Sequence, residues 1–198
     1  MKIYELKIKD EDGDAPVYAM SVVDKPAIEI DFIKLSEETN NTPIGVKLAD
    51  DDEQIILGPA LVPEKLIYRS NINGEGEGYV KFSEETVRQT AYLFLKNNKN
   101  NEVTIQHNEE AKSIYLMESW VIEDIDKDKA GVYGYTDLPT GTWMMSYKVD
   151  DDDLWNDIKD GNINGFSIEG NYVAQNISMA EEINPYDELL NDLEELLS

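Results

Sequence analysis

The chain has 198 residues, of which 41% are hydrophobic, and its formal net charge is −25. This length corresponds to one domain, or to one domain with extensions, and the acidic charge argues against nucleic acid and anionic membranes as partners, since phosphate groups are bound by cationic side chains. The sequence has no cysteine, which excludes disulfides and thiolate sites, and no apolar run approaches the roughly 20 residues of a membrane span.

The N-terminal part of the chain is predicted to be β-structure. Residues 2–9 alternate between apolar and polar side chains, as a half-buried strand does, and the acidic turn 10–14 separates them from a second strand at 17–23. These two strands are predicted to form a hairpin. A third strand is predicted at 28–35, whereas the two prolines in 58–63 favour an irregular segment over a central strand.

A helix and two strands follow in the middle of the chain. Ser83 precedes two glutamates and an apolar stripe, which is typical of a helix N-cap, and the asparagine-rich stretch 97–101 ends that helix. Residues 103–107 are predicted to be a strand with His107 on the same face as Val103 and Ile105. A further strand is predicted at 113–122. Its inward-facing side chains are apolar except for Glu118, and they are Ile114, Leu116, Glu118, Trp120 and Ile122.

The C-terminal part is also predicted to contain both strands and helices. A strand at 141–149 leads into a short helix at 154–160, and a glycine-framed strand and an extended segment follow. Residues 1–178 are therefore predicted to form one domain, and 179–198 an acidic amphipathic helix. The strands outnumber the helices, which indicates a mainly β fold with flanking helices (α+β), built on a barrel-like sheet.

Nucleophilic catalysis by a hydroxyl is one interpretation of His107 and Ser167. His107 is the single histidine of the chain, and Ser167 lies between glycines in the segment 161–170. A serine nucleophile needs a base that titrates near neutral pH, and only His107 can supply it. The alternative is structural, because a lone histidine is more often a satisfied residue and serine beside glycine is common in turns.

The third member of such a site is expected to be a carboxylate or to be absent, because the sequence offers no second histidine. Glu118 is favoured, since a carboxylate in an apolar row needs a partner and the His107 ring would provide one. The alternatives are that Glu118 pairs with a lysine or an arginine, and that Glu169 or a later acid takes the role.

Metal and cofactor sites are not predicted. The run Asp124-x-Asp126-x-Asp128 begins like a calcium loop, but Lys129 stands where the loop needs glycine and Tyr135 stands where it needs glutamate. The run 150–153 is better explained as helix-capping acids in solvent. The expected cofactor set is therefore empty.

Several motifs together carry a family resemblance. They are Glu118-Ser119-Trp120, Gly141-Thr142-Trp143, the aspartate-rich turn into Leu154-Trp155, Gly165-Phe166-Ser167-Ile168-Glu169-Gly170, and the earlier segments 17–29 and 58–63. Over roughly residues 15–172 they resemble the XkdF-like family of phage serine proteases, which is grouped with prohead maturation proteases of the herpesvirus assemblin fold. The resemblance implies a small assemblin-like β-barrel and a catalytic His and Ser, which correspond to His107 and Ser167.

The resemblance also implies a biological setting. It predicts a serine endopeptidase that cleaves scaffold and capsid-protein extensions during head assembly, in the host cytoplasm and inside the phage procapsid. The first five residues lack the apolar core of a signal peptide, which agrees with an intracellular site. The C-terminal helix is expected to dock on its own domain, on a second copy in a homodimer, or on the scaffold. The alternative function is a non-enzymatic acidic capsid or scaffold-like assembly protein.

Overall fold

A computed structural model describes residues 2–9, 17–35 and 53–177. In these ranges the chain forms twelve β-strands, three α-helices and one short 3₁₀ helix. The strands are β1 Ile3–Ile8, β2 Val17–Val23, β3 Ile33–Leu35, β4 Ile55–Leu61, β5 Ile67–Arg69, β6 Gly78–Lys81, β7 Val103–Ile105, β8 Glu109–Glu110, β9 Ile114–Val121, β10 Trp143–Val149, β11 Gly165–Gly170 and β12 Tyr172–Asn176. The helices are α1 Glu84–Lys96, α2 Lys129–Val132, α3 Asp152–Lys159 and the 3₁₀ turn Lys99–Asn101.

The strands are arranged in three four-stranded sheets. The strand orders are β12-β1-β6-β5 in sheet I, β3-β4-β10-β9 in sheet II and β11-β2-β7-β8 in sheet III. The predicted α+β class is confirmed. The predicted barrel is not supported, because the sheets of the described ranges do not close on themselves.

The predicted N-terminal hairpin is wrong. β1 pairs with β12 and β6 in sheet I, whereas β2 pairs with β11 and β7 in sheet III. Local alternation predicted both strands correctly but carried no information on their partners. The two strands therefore belong to separate sheets.

The core lies between the sheets and is rich in aromatic side chains. Trp143 of β10 is fully buried, and its ring lies 5.3 Å from that of Phe94 on α1. Phe166 of β11 contacts Phe32 and Tyr147, with ring centroids 5.3 and 5.6 Å away. Side-chain packing of this kind fixes β11 against sheet II from one side.

The segment with two prolines is part of an interior strand, contrary to the prediction. β4 includes Pro59, which pairs with Met144 of β10 beside a register shift. On its other edge β4 meets β3 only at residues 55–57, so Pro59 lies beyond the last β3 partner. Proline is tolerated there because a bulge and a free edge remove the need for its missing N–H.

Helix ends follow the expected chemistry. Ser83 accepts a hydrogen bond from the Thr86 N–H at the start of α1, and Asp151 accepts one from the Leu154 N–H at the start of α3. No helix of the described ranges is long and apolar enough to cross a membrane. The helix predicted for 179–198, and with it the domain boundary at 178, lies outside the described residues.

Candidate active site

One face of sheet III carries a row of hydroxyl side chains. Ser167 of β11 lies opposite Ser21 of β2, and Ser21 lies beside Thr104 of β7. Residues in register on neighbouring strands project from the same face, so the three hydroxyls share one side of the sheet. The neighbouring residues Phe166 and Val22 face the buried side. The core therefore fixes the orientation of the hydroxyl row.

Glu169 belongs to the same face as Ser167. The two residues are separated by one position in β11, and side chains alternate along a strand. The Glu169 side chain is only 16% exposed. A carboxylate that is so poorly exposed requires hydrogen-bond or charge partners.

His107 does not continue the strand that was predicted to contain it. β7 ends at Ile105, and Gln106 and His107 follow in the left-handed region with φ of 52° and 59°. The Asn108 N–H donates to the Ile105 carbonyl at 3.0 Å and closes a tight turn. Two successive positive φ angles are typical of glycine or asparagine in such turns, and each costs about 1–3 kcal/mol in other residues.

Contacts with β2 hold this turn in place. The His107 N–H donates to Ser21 Oγ at 3.0 Å, and the Ser21 hydroxyl donates to the Thr104 carbonyl at 3.3 Å. The Gln106 N–H donates to the Val22 carbonyl at 3.0 Å. Because Ser21 is fully buried, these bonds are shielded from water.

The turn brings the imidazole to the hydroxyl face, not to the face of Val103 and Ile105 as alternation predicted. His107 Nδ1 lies 3.3 Å from Glu169 Oε1, and the ring is 44% exposed. A carboxylate at Nδ1 fixes the tautomer and leaves Nε2 to accept a proton, as in serine hydrolases. In the described part of the chain the Ser167 hydroxyl makes no side-chain hydrogen bond, and therefore none to the His107 ring.

Glu118, which the sequence favoured as the partner of His107, contacts other groups. Its carboxylate pairs with Lys129 Nζ at 2.6 Å and accepts a hydrogen bond from Ser146 Oγ at 3.3 Å. The Lys129 ammonium also lies 4.0 Å from the centre of the Trp120 ring. These contacts are those of the structural alternative, a glutamate paired with a lysine.

A β-bulge explains why strict alternation misplaced Glu118. Between the pairs Ser146–Glu118 and Tyr147–Leu116 the register shifts, and Met117 has no partner on β10. One extra residue in a strand moves all the side chains that follow it to the opposite face of the sheet. Glu118 therefore lies on the outer face, where its side chain is 48% exposed, and not in the apolar row.

Two members of the cluster were missed in the sequence, Ser21 and Thr104. Thr104 Oγ1 hydrogen-bonds Glu169 Oε1, and Ser21 bonds the backbone of His107. Ser21 did carry a signal, as the one hydroxyl in the otherwise apolar second half of β2. Thr104 carried none, since threonine is an ordinary strand residue.

Comparison with known families gives an independent finding. Residues 44–176 match the family model described as "Putative phage serine protease XkdF". The chain belongs to this family. The match to the XkdF family includes His107, Glu118, Ser167 and Glu169, and it extends to the end of β12. Searches of curated proteins and of solved structures returned no match.

Proposed function

We propose that this XkdF-family protein is a serine endopeptidase with Ser167 as nucleophile, His107 as general base and Glu169 as the residue that orients the imidazole. The observation that carries the proposal is the contact between Glu169 and Nδ1 of the single histidine. Glu169 lies on the strand and face of Ser167. Nucleophile and carboxylate thus lie on one strand of sheet III, and the base lies in the turn that follows β7 of the same sheet.

The reaction follows from the roles of these three groups. Ser167 Oγ attacks the peptide carbonyl carbon while His107 Nε2 takes the hydroxyl proton, and the Glu169 carboxylate stabilises the resulting imidazolium. His107 then gives that proton to the leaving amine, which releases the first product. Water, deprotonated by His107, attacks the acyl-enzyme and frees Ser167. Backbone N–H groups would stabilise the oxyanion.

The biological substrate is proposed from the family. A phage serine protease that acts inside a procapsid would cleave scaffold and capsid-protein extensions during head maturation. The strongly acidic chain is compatible with docking on basic protein segments, since opposite charges accelerate encounter. We propose scaffold and major capsid protein as the partners, and the host cytoplasm and procapsid interior as the place of action.

Loss of the nucleophile or of the base tests this proposal. Co-expression with the capsid and scaffold proteins should give processed products, and Ser167→Ala and His107→Asn should abolish them. Asparagine is chosen because it tolerates the left-handed backbone of residue 107 and cannot act as a base. Thermal melting should show that both variants fold.

A fluorophosphonate probe, which labels activated serines, provides a second readout. It should label the wild-type chain and Ser70→Ala, an exposed serine away from the site, but not Ser167→Ala. Unchanged processing and labelling in folded Ser167→Ala would refute the protease proposal. It would favour the non-enzymatic assembly protein instead.

A further inference from the structure

The Thr104 hydroxyl contacts the carboxylate that meets the histidine. Thr104 Oγ1 is hydrogen-bonded to Glu169 Oε1, the same oxygen that lies 3.3 Å from His107 Nδ1. An ionised carboxylate can only accept hydrogen bonds, so the Thr104 hydroxyl is the donor. The oxygen therefore has the Thr104 hydroxyl of β7 on it and the imidazole of the turn that follows β7 beside it.

Thr104 is held more rigidly than the glutamate that it contacts. It lies in the middle of β7, which is paired with β2 on one side and β8 on the other. Its branched Cβ restricts χ1, whereas a glutamate side chain has three rotatable bonds. A rigid donor on an interior strand can therefore fix the rotamer of a flexible carboxylate.

We propose that Thr104 is a positioning residue of the catalytic site, whose hydroxyl holds Glu169 in the orientation that contacts His107 Nδ1. This inference rests on the proposed protease function. Thr104 touches neither Ser167 Oγ nor the imidazole through any hydrogen bond in the described ranges, so it acts through Glu169. Its loss should weaken the chemical step and leave substrate binding intact.

The test compares Thr104→Val, which keeps the branched shape, with Thr104→Ser, which keeps the hydroxyl. Saturation kinetics with the fluorophosphonate probe separate the maximal inactivation rate from the apparent affinity. We expect Thr104→Val to lower the maximal rate about 10- to 100-fold with unchanged affinity, because small misplacements of catalytic groups have effects of this size. Thr104→Ser should restore the rate to within a few fold of wild type.

Thr90→Val serves as the matched control. The Thr90 hydroxyl also makes a side-chain hydrogen bond, to Tyr172 Oη at 3.2 Å, but it lies on α1 and not in sheet III. Its replacement should change the melting temperature and not the labelling rate. A double-mutant cycle with Glu169→Gln adds a second criterion: Thr104→Val should have little further effect when the carboxylate is already lost.

Three results would overturn the inference. They are a wild-type rate in folded Thr104→Val, an equal loss in Thr104→Ser, and full additivity with Glu169→Gln. Thr104→Ala in the same cycle replaces Thr104→Val if the valine variant folds poorly. Labelling that persists in Ser167→Ala would instead defeat the protease proposal, so the two failures are distinguishable.

Discussion

The two glutamates that were considered as partners of His107 differ in the groups that their carboxylates contact. Glu169 faces the imidazole, whereas Glu118 pairs with Lys129. We predict that Glu169→Gln lowers the fluorophosphonate labelling rate at least about 100-fold, since loss of the orienting carboxylate costs up to about 10⁴-fold in serine proteases. Glu118→Gln should stay within a few fold of wild type.

Measurements of stability provide the control for this comparison of labelling rates. The pair Glu118–Lys129 is nearly half exposed on both sides, so its loss should cost at most about 1 kcal/mol. Both variants should therefore melt close to the wild type. A large loss of rate in Glu118→Gln together with normal activity in Glu169→Gln would reverse the assignment and restore the sequence preference.

Residue chemistry left His107 and Ser167 open to a structural interpretation, and the family resemblance is what made them candidates. The preference for Glu118 as their carboxylate partner does not agree with its contacts to Lys129 and Ser146. The facing of Glu118 depends on the bulge at Met117, and the position of His107 depends on two left-handed residues that are neither glycine nor asparagine. Contacts with β2 hold the His107 turn, and the bulge at Met117 lies in the pairing of β9 with β10. Both depend on residues distant in the sequence, and no short-range pattern encodes them.

At the scale of elements, the start of β11 is packed tightly against Pro26. A Cβ atom added at Gly165 would lie nearest to Pro26 Cγ, 2.6 Å from Pro26 Cβ and 3.0 Å from Pro26 Cδ. We predict that Gly165→Ala destabilises the fold by about 1–3 kcal/mol, the usual cost of overpacking, and lowers labelling of Ser167 by displacing its strand. Chemical denaturation and probe kinetics measure the two effects.

The proline provides the matched control for that steric argument. Pro26→Gly removes the ring that the new methyl group would meet, so Gly165→Ala should cost much less stability in the Pro26→Gly background. An equal cost in both backgrounds would mean that the neighbouring ring is not the obstacle.

Strand positions were predicted well from local patterns, and strand partners were not. Alternation gave β2 at residues 17–23 and a strand that contains β9, and capping residues gave the start of α1. Pairing failed for β1 and β2 because they are adjacent in sequence and similar in length, whereas the alternation of side chains along a strand does not specify its partner. The prolines led to a wrong prediction for β4. A proline is tolerated in this strand because Pro59 lies beyond the end of β3, and local sequence does not show where β3 ends.

At the scale of the whole molecule, buried tyrosine side chains from several parts of the fold resist ionisation. Burial raises the pKa of Tyr147 in β10, of Tyr172 in β12 and of Tyr135 after α2 above the usual 10.0. The folded state therefore keeps these protons at a pH where the unfolded chain releases them. Their contribution to stability is complete below pH 10 and is lost as the pH rises above that value.

We predict alkaline unfolding with a slope of about 1.4 kcal/mol per pH unit for each buried phenol, measured by urea denaturation between pH 8 and 12. Tyr147→Phe should lessen the slope. At pH 7 the same change should be neutral or stabilising, because the buried Tyr147 Oη has no hydrogen-bond partner in the described ranges. A clear loss of stability at pH 7 in this variant would contradict the prediction.

The position of β2 determines when the site can exist during synthesis. This strand is made early, but it pairs Ser21 with Ser167 and Thr104, which the ribosome delivers much later. Closing such long loops is slow and must precede any contact between His107 and Glu169. A chain that has not been translated beyond Glu169 therefore lacks this contact, and under the proposed function it is inactive as a protease.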